Sequence, residues 1–124
     1  MELSSKRLAD TLILCPAGRI DHATADAFKA ALAPFLATCA EGRDCVVIDL
    51  GGVEYISSVG LRVLMLASKQ AKAQGGGLGV CALQPVVREI FEISRFNLVL
   101  QVFPTLREAL AKLSAQALAA HDAA

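Results

Sequence analysis

The chain has 124 residues, 55% of them apolar and only 5% aromatic, with twelve basic residues balanced by twelve acidic ones. That length suits one domain with a self-sufficient core, and the cancelled charge removes the field that would draw in nucleic acid or an anionic membrane surface. Charged residues and Pro interrupt every apolar run well before the roughly 18 residues a membrane span requires, and no signal peptide opens the chain, so direct membrane insertion is not expected and a cytoplasmic protein is.

The opening "MELSSKRLADTLILCPAGRI" predicts two strands joined near Ala9-Asp10, with Leu12 and Leu14 on one face of the second and Ile13 and Cys15 on the other. From about Ala23, the residues Phe28, Leu32, Phe35 and Leu36 recur at helical spacing, with Asp21 or Thr24 placed to cap the start and Lys29 on the wet side. That helix should fade near Cys39. "CVVIDL", residues 45 to 50, is a continuous apolar run of the kind found in strands covered on both faces. It is the expected centre of the fold.

After "GGVEY", a second helix is predicted from about Ser58 to Ala73, closed by Gly75-Gly76-Gly77 as a left-handed cap. "LGVCAL" follows as a buried strand. Pro85 opens a third helix with Val86, Ile90 and Ile93 as its apolar stripe, and "NLVLQVF" reads as the last strand. Thr105 to Glu108 form a capping-box pattern before a final helix whose apolar face is Leu106, Leu110, Leu113 and Ala117. The sum is an α/β domain over residues 1–118: a mixed, mostly parallel sheet with an N-terminal antiparallel hairpin and about four helices. Residues 119–124 form an Ala-rich end expected to fray.

Little in the sequence suggests independent catalysis. Two histidines and no evident Ser-His-Asp set argue against a hydrolase, and the glycine clusters lack the Lys-Ser/Thr of a P-loop. Cys15, Cys39, Cys45 and Cys81 are scattered without metal-ligand spacing and read as buried small hydrophobes. Neither a metal nor a cofactor is expected. Ser57 and Ser58 stand out instead, because they open the second helix. One hydroxyl can satisfy an orphan amide there, contributing ~1 kcal/mol. The other is left over, at a place where the helix dipole favours an anion.

These stretches together resemble the STAS domain, named for sulphate transporters and anti-sigma factor antagonists. "GRIDHATADAFKAAL" is similar to the family's first loop and helix, "VVIDLGGVEYISSVGLRVLM" to its strand, loop and switch helix, and the segment from "GGGLGVCAL" to "FPTLREAL" to its remaining elements. In the antagonist branch the switch motif typically reads D-S-S-G-L, with the phosphoacceptor two residues before the glycine. Counting back from Gly60 gives Ser58, with Ser57 as the second candidate. Ser57 stands where the family often has Asp, and Val59 where it often has a second Ser.

The resemblance implies an anti-sigma factor antagonist that is a ligand and substrate, not an enzyme. Unphosphorylated, it would bind an anti-sigma factor, itself often a serine kinase, and release a sigma factor. Phosphorylation at Ser58 would end binding, and a phosphatase would restore it. The expected partner-binding residues are Asp21, which matches the family's acidic loop position, with His22, Ser57, Gly60, Leu61, Arg62 and Met65. Leu61 and Met65 would supply an apolar docking row. An alternative is an accessory subunit of a membrane transport or lipid-trafficking ATPase complex, with both serines as plain caps. A third reading, a small nucleotide-binding or hydrolytic site at Ser58 and Asp21, ranks last.

Overall fold

The computed structural model describes residues 2–123. Strands β1 (Leu3–Leu8) and β2 (Thr11–Ile20) form the expected antiparallel hairpin, paired from Leu3↔Pro16 to Leu8↔Thr11. Helix α1 (Ala25–Leu36) leads to β3 (Cys45–Asp49), which pairs in parallel with the first half of β2. Strand β5 (Leu78–Cys81) and the two-residue β6 (Val102–Phe103) extend the sheet in the order β1-β2-β3-β5-β6. As the run "CVVID" foretells, β3 is central.

The segment after it is a strand where the sequence suggested a loop. Residues Gly52–Ile56 form β4, parallel to the second half of β2 from Ala17↔Gly52 to Ile20↔Ile56. The register steps from Gly18↔Val53 to Arg19↔Tyr55, so Glu54 has no partner opposite it. This bulge lets Val53 and Ile56, three apart, both bury fully.

Alternation divides the core. Val46 and Ile48 of β3 join Leu12, Leu14, Phe28, Leu32, Leu61, Leu64, Val87 and Phe91 in one cluster, formed with α1, α2 (Ser58–Ala73) and α3 (Pro85–Ile93). Val47 and Cys81 point the other way, into a smaller cluster with Ala109, Leu110 and Ala117 from α4 (Leu106–Leu113) and α5 (Ala115–Ala123). Full burial of a side chain such as Phe28 stabilises by ~1.5–3 kcal/mol.

Helix α2 has the bounds expected of it. Gly75, at φ +76°, closes it in a Schellman motif: Gly76 N donates to Ala71 O at 2.8 Å and Gly75 N to Lys72 O at 3.1 Å. Three other expectations need correction. On α3 the face toward the sheet is Val87 and Phe91, while Val86 and Ile93 are exposed, Ile93 by 76%. Phe91 is the larger group to bury, and its ring meets Phe96 edge to face at 6.3 Å. "NLVLQVF" is also mostly not strand. Arg95 enters the left-handed region (φ +59°), a 3₁₀ turn spans Phe96–Leu98, and only Val102 and Phe103 reach the sheet.

The final helix is two. Ser114 takes extended angles (φ −156°, ψ 108°), ends α4 and caps α5 through its hydroxyl, which accepts from Ala117 N at 3.1 Å. That hydroxyl also donates to Asp10 in the β1–β2 turn. Helix α5 then continues to Ala123, with Asp122 paired to Arg107. Because Ser114 serves both contacts while buried, Ser114→Ala should lower the unfolding free energy by about 1–2 kcal/mol. Urea unfolding followed by circular dichroism checks this.

Candidate functional site

Strands β2 and β4 end side by side. Ile20 and Ile56 are partners in register, and Ser57 N donates to Ile20 O at 2.8 Å. The next residues, Asp21 and Ser57, each begin a helix approach, so the N-termini of α1 and α2 emerge from neighbouring strand ends. Binding sites in α/β sheets concentrate at such carboxyl ends of strands.

Asp21 orders the turn before α1 but is not the expected helix cap, since the N-cap is Thr24, which makes no side-chain cap bond. Asp21 Oδ1 accepts from Ala23 N at 3.0 Å, and the Asp21 N–H donates to Thr24 Oγ1 at 3.0 Å. The Thr24 hydroxyl donates back to Arg19 O at 2.9 Å. This set of bonds fixes the turn between β2 and α1 and leaves His22 exposed at its tip.

The two serines divide their labour. Ser57 is the N-cap of α2, half-buried with extended backbone, and its Oγ accepts from Gly60 N at 3.3 Å. Ser58, the first helical residue, is exposed. The hydroxyl left over after capping is therefore that of Ser58, an exposed residue.

Of the residues expected on the docking face, Arg62 is exposed and Met65 half-buried, but Gly60 and Leu61 are inside. Leu61 is 2% exposed and belongs to the core. A Cβ at Gly60 would meet Ile20 Cγ2 at 2.7 Å and Ile56 Cγ1 at 2.8 Å. Glycine is needed there so that the first turn of α2 can lie against the two strand ends. The apolar side chains that α2 does expose are Val59 (44%) and Leu66 (39%). They lie seven residues apart with Arg62 between them, one row along the helix. Beside it a groove of about 90 Å³ runs between α1 and α2, lined by Lys29, Ala33, Val63, Leu66 and Gln70 among others. Exposed apolar groups look like core in a bare sequence, which is why this row was not foreseen.

Arg19 and Tyr55 also escaped the sequence reading, since nothing local marks them. They are opposite one another just past the bulge, with the guanidinium carbon 4.5 Å from the ring centroid.

Burial raises the thiol pKa of Cys39 to about 11 and that of Cys81 to about 12, and it also pushes up Cys15 and Cys45. At neutral pH the thiols are protonated and poor nucleophiles. Among the described residues no group of His, Cys, Asp and Glu could hold a metal ion, and no helix is long and apolar enough to cross a membrane.

Comparison with known proteins identifies the family of this fold. The family model described as the STAS domain matches residues 2–109. The chain belongs to the STAS family. It is 43% identical over 113 residues to the putative anti-sigma factor antagonist BtrV of Bordetella bronchiseptica, covering 90% of this chain and 92% of that protein. It is 33% identical over 98 residues to the anti-sigma-F factor antagonist RsfB of Mycobacterium tuberculosis, covering 79% and 77%. The crystal structure of an anti-sigma factor antagonist from Mycobacterium paratuberculosis superposes with a TM-score of 0.80 at 27% identity, over 90% of this chain and 92% of that one.

The tight seat of α2 in this STAS domain can be tested directly. Gly60→Ala should cost about 1–3 kcal/mol as Ile20 and Ile56 are pushed aside. Thermal unfolding would show it, and a variant as stable as wild type would mean that the seat has more slack than the geometry gives it.

Proposed function

We propose that this chain is an anti-sigma factor antagonist whose binding is switched by phosphorylation of Ser58. The observation that carries the reading is the split between the serines: Ser57 holds Gly60 N, and Ser58 is exposed at the start of α2. Relatives named for antagonism of anti-sigma factors match most of the chain. The domain itself acts as ligand and substrate. Its partner is an anti-sigma factor that also serves as the serine kinase, and a separate phosphatase resets the switch.

The energetics favour a switch at the interface over one that melts the fold. Phosphorylation adds about −1.5 to −2 charges. At a helix N-terminus the dipole favours an anion by ~0.3–1 kcal/mol, so the domain stays folded. Burying that anion against a partner without a matching cation costs ~2–5 kcal/mol, a roughly thirtyfold to several-thousandfold loss of affinity. The docking face is the row beyond Ser58: Val59, Arg62 and Leu66, flanked by Met65 and by His22 and Asp21 from the neighbouring turn. Burying the two exposed apolar side chains would supply the affinity that the phosphate removes.

Incubation with the cognate kinase and ATP, followed by mass mapping, should place one phosphate on Ser58. A phosphate on Ser57 or elsewhere would overturn the assignment. In pull-downs, Ser58→Ala should keep the anti-sigma factor and Ser58→Asp should weaken it at least tenfold. Equal retention by both would remove the charge switch, and recovery of an ATPase with a permease would point to the accessory-subunit role.

Leu66→Asp should keep the fold at a cost of about 1–2 kcal/mol, from lost partial burial and helix propensity, yet reduce binding to the same partner well beyond that. Isothermal titration calorimetry separates that outcome from a Leu66 that takes no part in docking.

A further inference from the structure

The strand paired with the one that leads to the serines carries a cation that neither the caps nor the docking row uses. Arg19 sits on β2 immediately after the register step that leaves Glu54 unpaired on β4, and bulges commonly re-aim side chains at functional sites. Its guanidinium is held over the Tyr55 ring at 4.5 Å. Its Nε lies 3.9 Å from Asp21 Oδ2, too far for a hydrogen bond, and the Arg19 side chain is 58% exposed. Asp21 is already engaged through its other oxygen with Ala23 N. The ring thus orients the guanidinium fork while its donors remain open to another acceptor.

We propose that Arg19 is the intramolecular partner of a phosphoryl group on Ser58, leaving its loose contact with Asp21 to grip the phosphate. The inference rests on the reading of Ser58 as the phosphoacceptor. Arg19 is the last residue but one of β2 and faces Tyr55 of β4, its side chain reaches to 3.9 Å from Asp21 just past the strand end, and Ser57 N bonds Ile20 O where the two strands end as neighbours. Ser58 comes next. A planar guanidinium matches a phosphate in bidentate fashion, and a near-dianion outcompetes a carboxylate held at ion-pair distance.

The charged and titratable groups around this point are Asp21 and His22 from the β2–α1 turn, Glu54 and Tyr55 from β4, and Arg62 from α2. Asp21 and Glu54 oppose the second ionisation of a phosphoserine, whereas Arg19 favours it. Gripped in this way, the phosphate becomes a fixed feature of the docking face, presented at one place to an arriving partner.

The test installs phosphoserine at position 58 during synthesis, by stop-codon suppression, and follows its ³¹P chemical shift against pH. An adjacent guanidinium stabilises the dianion, so the second pKa of the wild-type phosphoserine should lie below the ordinary value of about 6. Arg19→Gln should raise it by a few tenths of a unit, the size an exposed ion pair supports. Arg19→Lys should fall between the two, because charge is kept and the fork is lost, and Arg62→Gln should move it less than half as far as Arg19→Gln.

An Arg19→Gln value within about 0.1 unit of wild type, or one matched by Arg62→Gln, would overturn the pairing. Circular dichroism of each protein confirms that the fold is intact. Because the phosphate is placed during translation and no kinase is involved, a kinase that modifies another residue would sink the phosphoacceptor reading and leave this titration standing.

Discussion

The pairing of the second half of β2 with β4 is the constraint on which the site depends. Ser57 N on Ile20 O closes that pairing, and from this one bond follow the adjacency of Asp21 and Ser57 and the shared level at which α1 and α2 start. Gly60 completes the arrangement from the helix side, since any side chain there would collide with Ile20 and Ile56. Sheet end and helix start are thereby joined without slack, and what stands on top of the joint is Ser58.

The joint also explains why the paired hydroxyls differ in kind. An N-cap must have extended backbone and aim its oxygen into the first turn. Ser57 meets both conditions, and its hydroxyl is occupied in doing so. Ser58 already has helical backbone, where the side chain leans outward from the turn. Geometry thus gives the cap to Ser57 and leaves its neighbour Ser58 outside the first turn's hydrogen bonding, as the proposed phosphoacceptor role requires. A single serine in both roles would have to give up the cap whenever it was phosphorylated.

Much of this was legible in the sequence because the local signals were redundant. Helix α2 is marked at one end by a capping serine and at the other by three glycines, and both ends fell where expected. The central strand β3 declares itself as an unbroken apolar run. Strand β4 did not, because its bulge spaces Val53 and Ile56 three apart and so breaks the period of two on which recognition relies. Similarly, α3 carries apolar residues on two faces, and periodicity alone cannot rank Val86 and Ile93 below Val87 and Phe91. That ranking comes from the packing partners, such as Phe96, which tertiary structure alone brings near. The site was half visible for the same reason: Ser57, Ser58 and Asp21 follow from local rules, whereas that Leu61 is buried and Leu66 exposed emerges only when the helix is set down on the sheet.

That setting-down bears on how the domain can signal. Leu61, Leu64 and Ala67 lock α2 into the larger core cluster, and Gly60 leaves its first turn no room to shift toward the strands. An anion added to Ser58 is favourable for the helix dipole and meets a base that cannot yield, so it has little means of passing a conformational change to the rest of the fold. Its effect is confined to what the outer face of α2 presents to a partner. With Ser58 as the proposed phosphoacceptor, a rigid seat below and an exposed serine above would give a switch whose output is the charge of a surface. Reading it requires only a partner whose contact buries Val59 and Leu66 close to Ser58.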